Sequence, residues 1–336
     1  MRFPRSARFP RLNGFGAVTA AAAAPGRAPL WRGLAGAAIG AVAARAVYSV
    51  LTRPRACEVR DDVVTARRGT GETWSRTNFR GEPVTLLEGP ALAAGTCAAA
   101  LLAPGLPVRL RAATAVAAAG AGAFGAYDDV AGSSGSRGFR GHLAALARGE
   151  VTTGAVKILG IGATGLVAAA AVPGRPADLL INGALIAGSA NLLNLFDLRP
   201  GRAAKVGLLA GVPALGDATA GAVAGPVLGA TAALLPEDLG ERAMLGDAGA
   251  NALGAVLGVA AAAGLPRPAR LGLLAGVAGL TAASEVVSFT RVIRTTPPLR
   301  WLDELGRRPA RAEGGAVTLP ADLLAEPPVP ERSAGR

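Results

Sequence analysis

The chain has one histidine, His142, and two cysteines, Cys57 and Cys97, in 336 residues. A single histidine excludes a multi-histidine metal centre. Two cysteines far apart, in no Cys-x-x-Cys spacing, indicate neither a zinc site nor a disulfide framework. Aromatic residues are only 4% of the chain, so no set of stacking platforms accompanies its basic residues. That argues against nucleic acid as a partner. Strict period-2 alternation is missing, which excludes an extensive half-buried sheet. Acidic residues are also few, 23 against 35 basic ones, leaving a net charge of +12 that comes almost entirely from Arg.

What is present is apolar. Ala, Gly, Val and their relatives make 51% of the residues hydrophobic, and the mean hydropathy is +0.39. The apolar runs are too long and too many for a buried soluble core, and they read as helices that are apolar nearly all round. Small residues dominate them, as in membrane helices that pack backbone to backbone. The expected fold is an all-α, polytopic transmembrane bundle of about nine spans in the cell membrane. Its spans are 29–51, 88–106, 111–127, 154–172, 178–196, two short helices within 205–236, 248–264 and 271–289. Pro213, Gly216 and Asp217 mark a hairpin between the two short helices. A further short helix is expected over 142–148. Residues 1–28 form a basic tail, 29–290 the membrane domain, and 291–336 a basic and then disordered tail.

Nine spans put four polar segments on one side. They carry Asn78 and Arg80, Asp128 and Asp129, Asp197, and Asp247. Their loops hold 13 Arg against about five on the other side, so this side is expected to be cytoplasmic. The N-terminal tail runs against the rule, with five Arg on the outer side.

Carboxylates beside hydrocarbon are costly and mark function. Asp128 and Asp129, in GAYDDV, end one apolar run. A carboxylate pair there can hold Mg2+ or orient a phosphate-bearing nucleophile. As a mere solvated helix end it would oppose the macrodipole. In NLLNLFDLRPGR, Asn191, Asn194 and Asp197 recur every third residue and roughly share a face. The amide groups could bind a nucleobase, a sugar or phosphate oxygens, or could simply join helices. In MLGDAGAN, Asp247 lies between Gly246 and Gly249. An N-cap explains the acid but not the glycines. WSRTNFRGEP, with Asn78 and Arg80, is a cationic loop that suits a diphosphate or is an ordinary basic loop. Lys157 lies one turn inside its span, where it either snorkels or meets a phosphate.

In this order, the four motifs resemble the polyprenyl-phosphate N-acetylhexosamine-1-phosphate transferases, the family of the phospho-MurNAc-pentapeptide translocase and the GlcNAc-1-phosphate transferases. The likeness covers roughly residues 30 to 290. It implies Mg2+-dependent transfer of a sugar-1-phosphate from a UDP-sugar to a polyprenyl phosphate, for peptidoglycan or other cell-wall glycans. By resemblance, Asp247 is the main metal ligand. Asp128 contacts the metal or the lipid phosphate and assists its attack, with Asp129 in support. Asn191, Asn194 and Asp197 take the nucleotide-sugar. The expected partners are the lipid, the UDP-sugar and the membrane, with a homodimer admitted.

Four departures stand out. The family's late histidine cluster has no counterpart, and Arg291 and Arg294 occupy that region as candidate diphosphate contacts. Pro200 replaces the second aspartate of the N-x-x-N-x-x-D-G-x-D-G loop, Ala250 replaces a serine, and a tenth span is missing. Two functions therefore compete: a divergent transferase, and a catalytically silent relative that binds a lipid-linked precursor or scaffolds envelope enzymes. A solute transporter fits less well, because these acids lie at one membrane edge.

Overall fold

The computed structural model describes residues 28–53, 73–78, 80–132, 147–149 and 151–309, and it is mostly helical. Cys57, His142 and the expected disordered tail beyond 309 lie outside the described residues, as does most of the short helix expected over 142–148. The helices are α1 (Ala28–Leu51), α2 (Glu88–Leu102), α3 (Val108–Ala131), α4 (Thr153–Ala171), α5 (Asp178–Phe196), α6 (Arg202–Gly211), α7 (Ala218–Leu239), α8 (Gly246–Gly264), α9 (Arg267–Ser284), α10 (Phe289–Thr295) and α11 (Pro297–Glu304). A hairpin of β1 (Ser75–Thr77) and β2 (Pro83–Thr85) precedes α2.

Five helices are long and apolar enough to cross a membrane: α1, α4, α5, α7 and α8. A sixth results if α9 and α10, bent by 94° where they meet, count as one. That is fewer than the nine spans expected. Helix α2 is apolar but only 15 residues long. Helix α3 has the length but carries Arg109, Arg111, Asp128 and Asp129. The stretch 205–236 also departs from expectation. Its first half is the ten-residue α6 and a 3-10 turn, Val212–Gly216, which contains Pro213. Its second half is no short helix but 22 residues long, running through Pro226 and Pro236. Packing against neighbouring helices lets such prolines persist in a membrane bundle. Asp217 caps this helix, accepting from the N–H groups of Thr219 and Ala220 at 2.9 and 2.7 Å.

Small residues set the packing. Helices α1 and α7 touch along Gly33, Gly36 and Gly40 on one side and Gly221, Gly225 and Gly229 on the other. A methyl group on Gly225 would strike the Gly33 carbonyl, and one on Gly229 the Ala37 carbonyl. Such backbone contact is how Ala/Gly-rich helices gain dispersion energy where lipid removes the hydrophobic drive. The core is accordingly built from alanine, valine and leucine of α2, α3, α7 and α8.

Helix ends from across the chain meet at one end of the bundle. There Arg45 of α1 pairs with Glu237 of α7 at 2.8 Å. Strand β2 pairs with the segment before α8, with Met244 N–H donating to the Thr85 carbonyl at 2.9 Å. At the opposite end Asp178 of α5 meets Arg267 and Arg270 of α9.

Residues 289–309 fold back over the first end. Phe289 stacks on Phe196 with ring centroids 5.1 Å apart. Arg202 grips Asp303 with two hydrogen bonds, 2.6 and 3.1 Å, and is 3% exposed. Lys205 donates to the carbonyls of Leu302, Asp303 and Leu305 at the end of α11. Burial works against the charged form of Asp303, but Arg202, Arg307 and Lys205 overcome it and hold the carboxyl below its ordinary range. Arg308 reaches Glu82 in the hairpin at 2.7 Å.

Arg202→Met should release this segment. It removes the main partner of a buried carboxylate and leaves only Arg307 paired with it. The cost is therefore at or below the low end of the about 3–5 kcal/mol of a fully orphaned charge. Limited proteolysis should then cut within 285–309 while the bundle stays intact; an unchanged cleavage pattern would show that the pair does not hold the segment.

Candidate functional site

Helix α8 begins inside the bundle with free N–H groups pointing at the end where the acids gather. Asp129 of α3 answers two of them, accepting from Asp247 N–H at 3.0 Å and Ala248 N–H at 2.9 Å. Asp197, just past α5, lies close enough to the Gly246 N–H to be favoured by it. One carboxylate thus caps this N-terminus and a second stands beside it, where the macrodipole favours negative charge. Gly246 has φ +60°, and a methyl group there would press on the Asp129 carboxylate. Gly125, one turn before Asp129, lets α3 approach the Asp247 carbonyl more closely than any side chain would allow. Of the two glycines that an N-cap alone left unexplained, Gly246 serves this contact, while Gly249 packs against Gly89 of α2.

Asp128 and Asp247 are aimed at one point. Lys157 of α4 occupies it, its Nζ 2.8 Å from Asp128 Oδ2 and 2.6 Å from Asp247 Oδ2. Residues 29 and 90 positions from Lys157 in the chain are brought onto one ammonium group. Lys157 also lines a cavity of about 690 Å³ between α4, α5 and α9. Its walls are mainly apolar, among them Ile158, Ile161, Leu274 and Val277, with Asn191, Thr281 and Glu285 as polar neighbours. The charged cluster thus shares Lys157 with an apolar chamber.

Further acids stand behind this cluster. Burial, and then the fields of Asp238, Asp247 and Asp129, raise the Asp197 carboxyl well above its usual range, and the Gly246 N–H only partly opposes them. Glu88 and Asp238, each 1% exposed, face the same region. Sequence reading did not single out either one. The signal was there, since both are acids at the ends of apolar runs, as Asp128 is.

The remaining expected residues divide. Asn78 and Arg80 are used internally. The Asn78 side-chain Oδ1 accepts from Arg80 and Glu82 N–H, both at 2.9 Å, which fixes the hairpin turn. Arg80 binds buried Glu241 at 2.8 Å and the carbonyls of Arg308 and Pro309. Their neighbour Arg76 reaches the Asp129 carbonyl. Asn194 lies half-buried at the end of α5, its carbonyl accepting from Asp197 N–H at 3.0 Å. Arg291 and Arg294 are exposed on α10, and Arg294 lies within electrostatic range of Arg199. Pro200 is buried in the turn that starts α6, followed by Gly201 at φ +69°.

Among the described residues, no three His, Cys, Asp or Glu side chains gather at metal-binding distance. Two carboxylate oxygens aimed at one positive charge nevertheless fit Mg2+, which commonly takes one or two carboxylates and completes its shell with water and substrate phosphates. Asp128 and Asp247 are the residues that would hold it.

Asp129→Ala should lower stability by about 1–3 kcal/mol, because two N–H groups at the head of α8 lose their acceptor. Thermal unfolding in detergent measures this, and an unchanged midpoint would remove Asp129 from the capping role. Compared with known proteins, the chain matches no family model and no curated protein.

Proposed function

We propose that this chain is a divergent polyprenyl-phosphate N-acetylhexosamine-1-phosphate transferase of the cell membrane. In this reading it moves a sugar-1-phosphate from a UDP-sugar to a polyprenyl phosphate, with Mg2+, for cell-envelope glycan synthesis. One observation carries it. Lys157, which bridges Asp128 and Asp247, also lines an apolar chamber of about 690 Å³. An acceptor with a long hydrocarbon tail and a phosphate head needs that pairing of an apolar chamber with a charged group.

The roles follow from position. The chamber takes the isoprenoid tail, and Lys157, which lines it, meets the phosphate. Asp128 orients the attacking phosphate oxygen. Asp129 acts indirectly, by holding the head of α8 and hence Asp247 in place. Asn191, Asn194 and the Asp197 loop face the nucleotide-sugar. Exposed Arg291 and Arg294 supply positive charge for its diphosphate, in place of histidines. When bound, Mg2+ neutralises the diphosphate and the departing UMP, so that positioning and electrostatics do most of the work.

The reading includes nine crossings, with the site end cytoplasmic and the N-terminus outside. Helix α6 with its 3-10 turn counts as one crossing. It starts beside the site, where Arg202 holds α11, and ends where Asp217 lies against Gly264 at the far end of α8. The silent-relative reading has its own support: Lys157 already neutralises both carboxylates, and Pro200 stands where the family has an acid.

Purified protein with Mg2+, polyprenyl phosphate and a panel of UDP-sugars should release UMP. Asp247→Asn should cut that rate by about a hundredfold or more, a few kcal/mol of transition-state stabilisation. Lipid binding without UMP from any donor would decide for the silent relative. For topology, cysteines placed beside Asp128 and Asp247 should react only with reagents on the cytoplasmic side. Labelling of the two from opposite sides would refute a shared site.

A further inference from the structure

Two carboxylates facing each other at a membrane edge need a cation between them, since a low-dielectric surrounding magnifies their repulsion. In this chain the cation is Lys157, which gives one Nζ hydrogen to Asp128 and another to Asp247. Lysine suits this position in two ways. Its charge is compact, like a small metal ion, and it rides on a flexible four-carbon stem. Lys157 also lines the apolar chamber, so a rotation of the side chain can carry the ammonium from the carboxylates into that space. Arginine, which supplies nearly all other positive charge here, would bind such carboxylates through a rigid fork.

A divalent cation drawn to Asp128 and Asp247 needs the oxygens that Lys157 holds, and it repels the ammonium a few ångströms away. The displaced ammonium must then find another anion. Resting on the function proposed above, we infer that Lys157 is a placeholder for the divalent cation, and that it trades the two carboxylates for the acceptor's phosphate when the cation enters. Cation and lipid phosphate therefore bind with positive coupling, because each favours the rotated lysine. Coupling of this kind is reciprocal and commonly amounts to about 5- to 150-fold. While the lysine sits on the carboxylates, the cation's apparent affinity falls by the fraction of protein so closed.

The exchange can be read without turnover. The full chain in detergent is titrated with Mn2+, which replaces Mg2+ and is followed by electron paramagnetic resonance. Polyprenyl phosphate in the micelle should tighten Mn2+ binding to the wild type about tenfold, and the parent polyprenol should not. Lys157→Met should bind Mn2+ about tenfold tighter without lipid, and added lipid phosphate should then change little. Should the Met variant fail to fold, Lys157→Gln retains an amide donor for one carboxylate and should shift in the same direction.

A second readout uses the unaltered protein. Lys157 and Lys205 are its only lysines. Amine labelling mapped by mass spectrometry should speed up at Lys157 with Mg2+ and slow down again with polyprenyl phosphate, while Lys205 stays constant. Equal or weaker Mn2+ binding in the lysine variants would overturn the placeholder while leaving the transferase reading intact. If no protein binds Mn2+, with or without lipid, both fall together.

Discussion

The first turn of α8 is the constraint on which the site depends. A helix that starts inside a membrane bundle has N–H groups that water cannot serve. Here Asp129 serves two of them from α3, an element distant in sequence, and Asp197 stands beside a third. The same contact fixes where Asp247 stands, since its own N–H is one of the donors. Asp128 follows, being the neighbour of Asp129 on the last turns of α3. The adjacent aspartates thus divide the labour, one tied to backbone and the other turned to Lys157. An apolar residue at Asp129 would leave a charged pair with no fixed frame.

Much of this was legible in the sequence. Apolar runs gave most helices to within a few residues, and the acids at their edges named the cluster. The bundle's depth was not legible in the same way. Length and hydropathy admit five crossing helices because α2 is short, α3 carries four charges and α6 ends after ten residues. Long-range partners were also hidden. Nothing local in WSRTNFRGEP tells that Arg80 will be spent on Glu241, or that β2 will pair with residues next to Met244. The fold of 289–309 was missed because its stability comes from Arg202 and Lys205, about a hundred residues earlier, and not from its own apolar pattern. Lys157 had been weighed between snorkelling and meeting a phosphate; its two carboxylate partners were the third answer.

The DLRPGR run acquires a use in this light. Set against the loop of the family it resembles, it has Pro200 in place of an acid, and Arg202 follows the turn. The proline stiffens the turn and Gly201 supplies the left-handed step that starts α6. Arg202 then reaches the C-terminal helix instead of open water. The segment that carries Arg291 and Arg294 is therefore anchored by the same loop that leads out of α5.

The two flanks of the bundle are built to different tolerances. On the α1–α7 flank, glycines are filled by neighbouring backbone, and nothing can move without breaking many contacts at once. On the α9 flank, Gly272, Gly276 and Gly279 face open space, and only Arg270 and Val277 of the whole helix are buried. The chamber borders this loosely held helix. The chamber wall on this side can therefore shift at small energetic cost, while the opposite flank keeps the ends of its helices in fixed register.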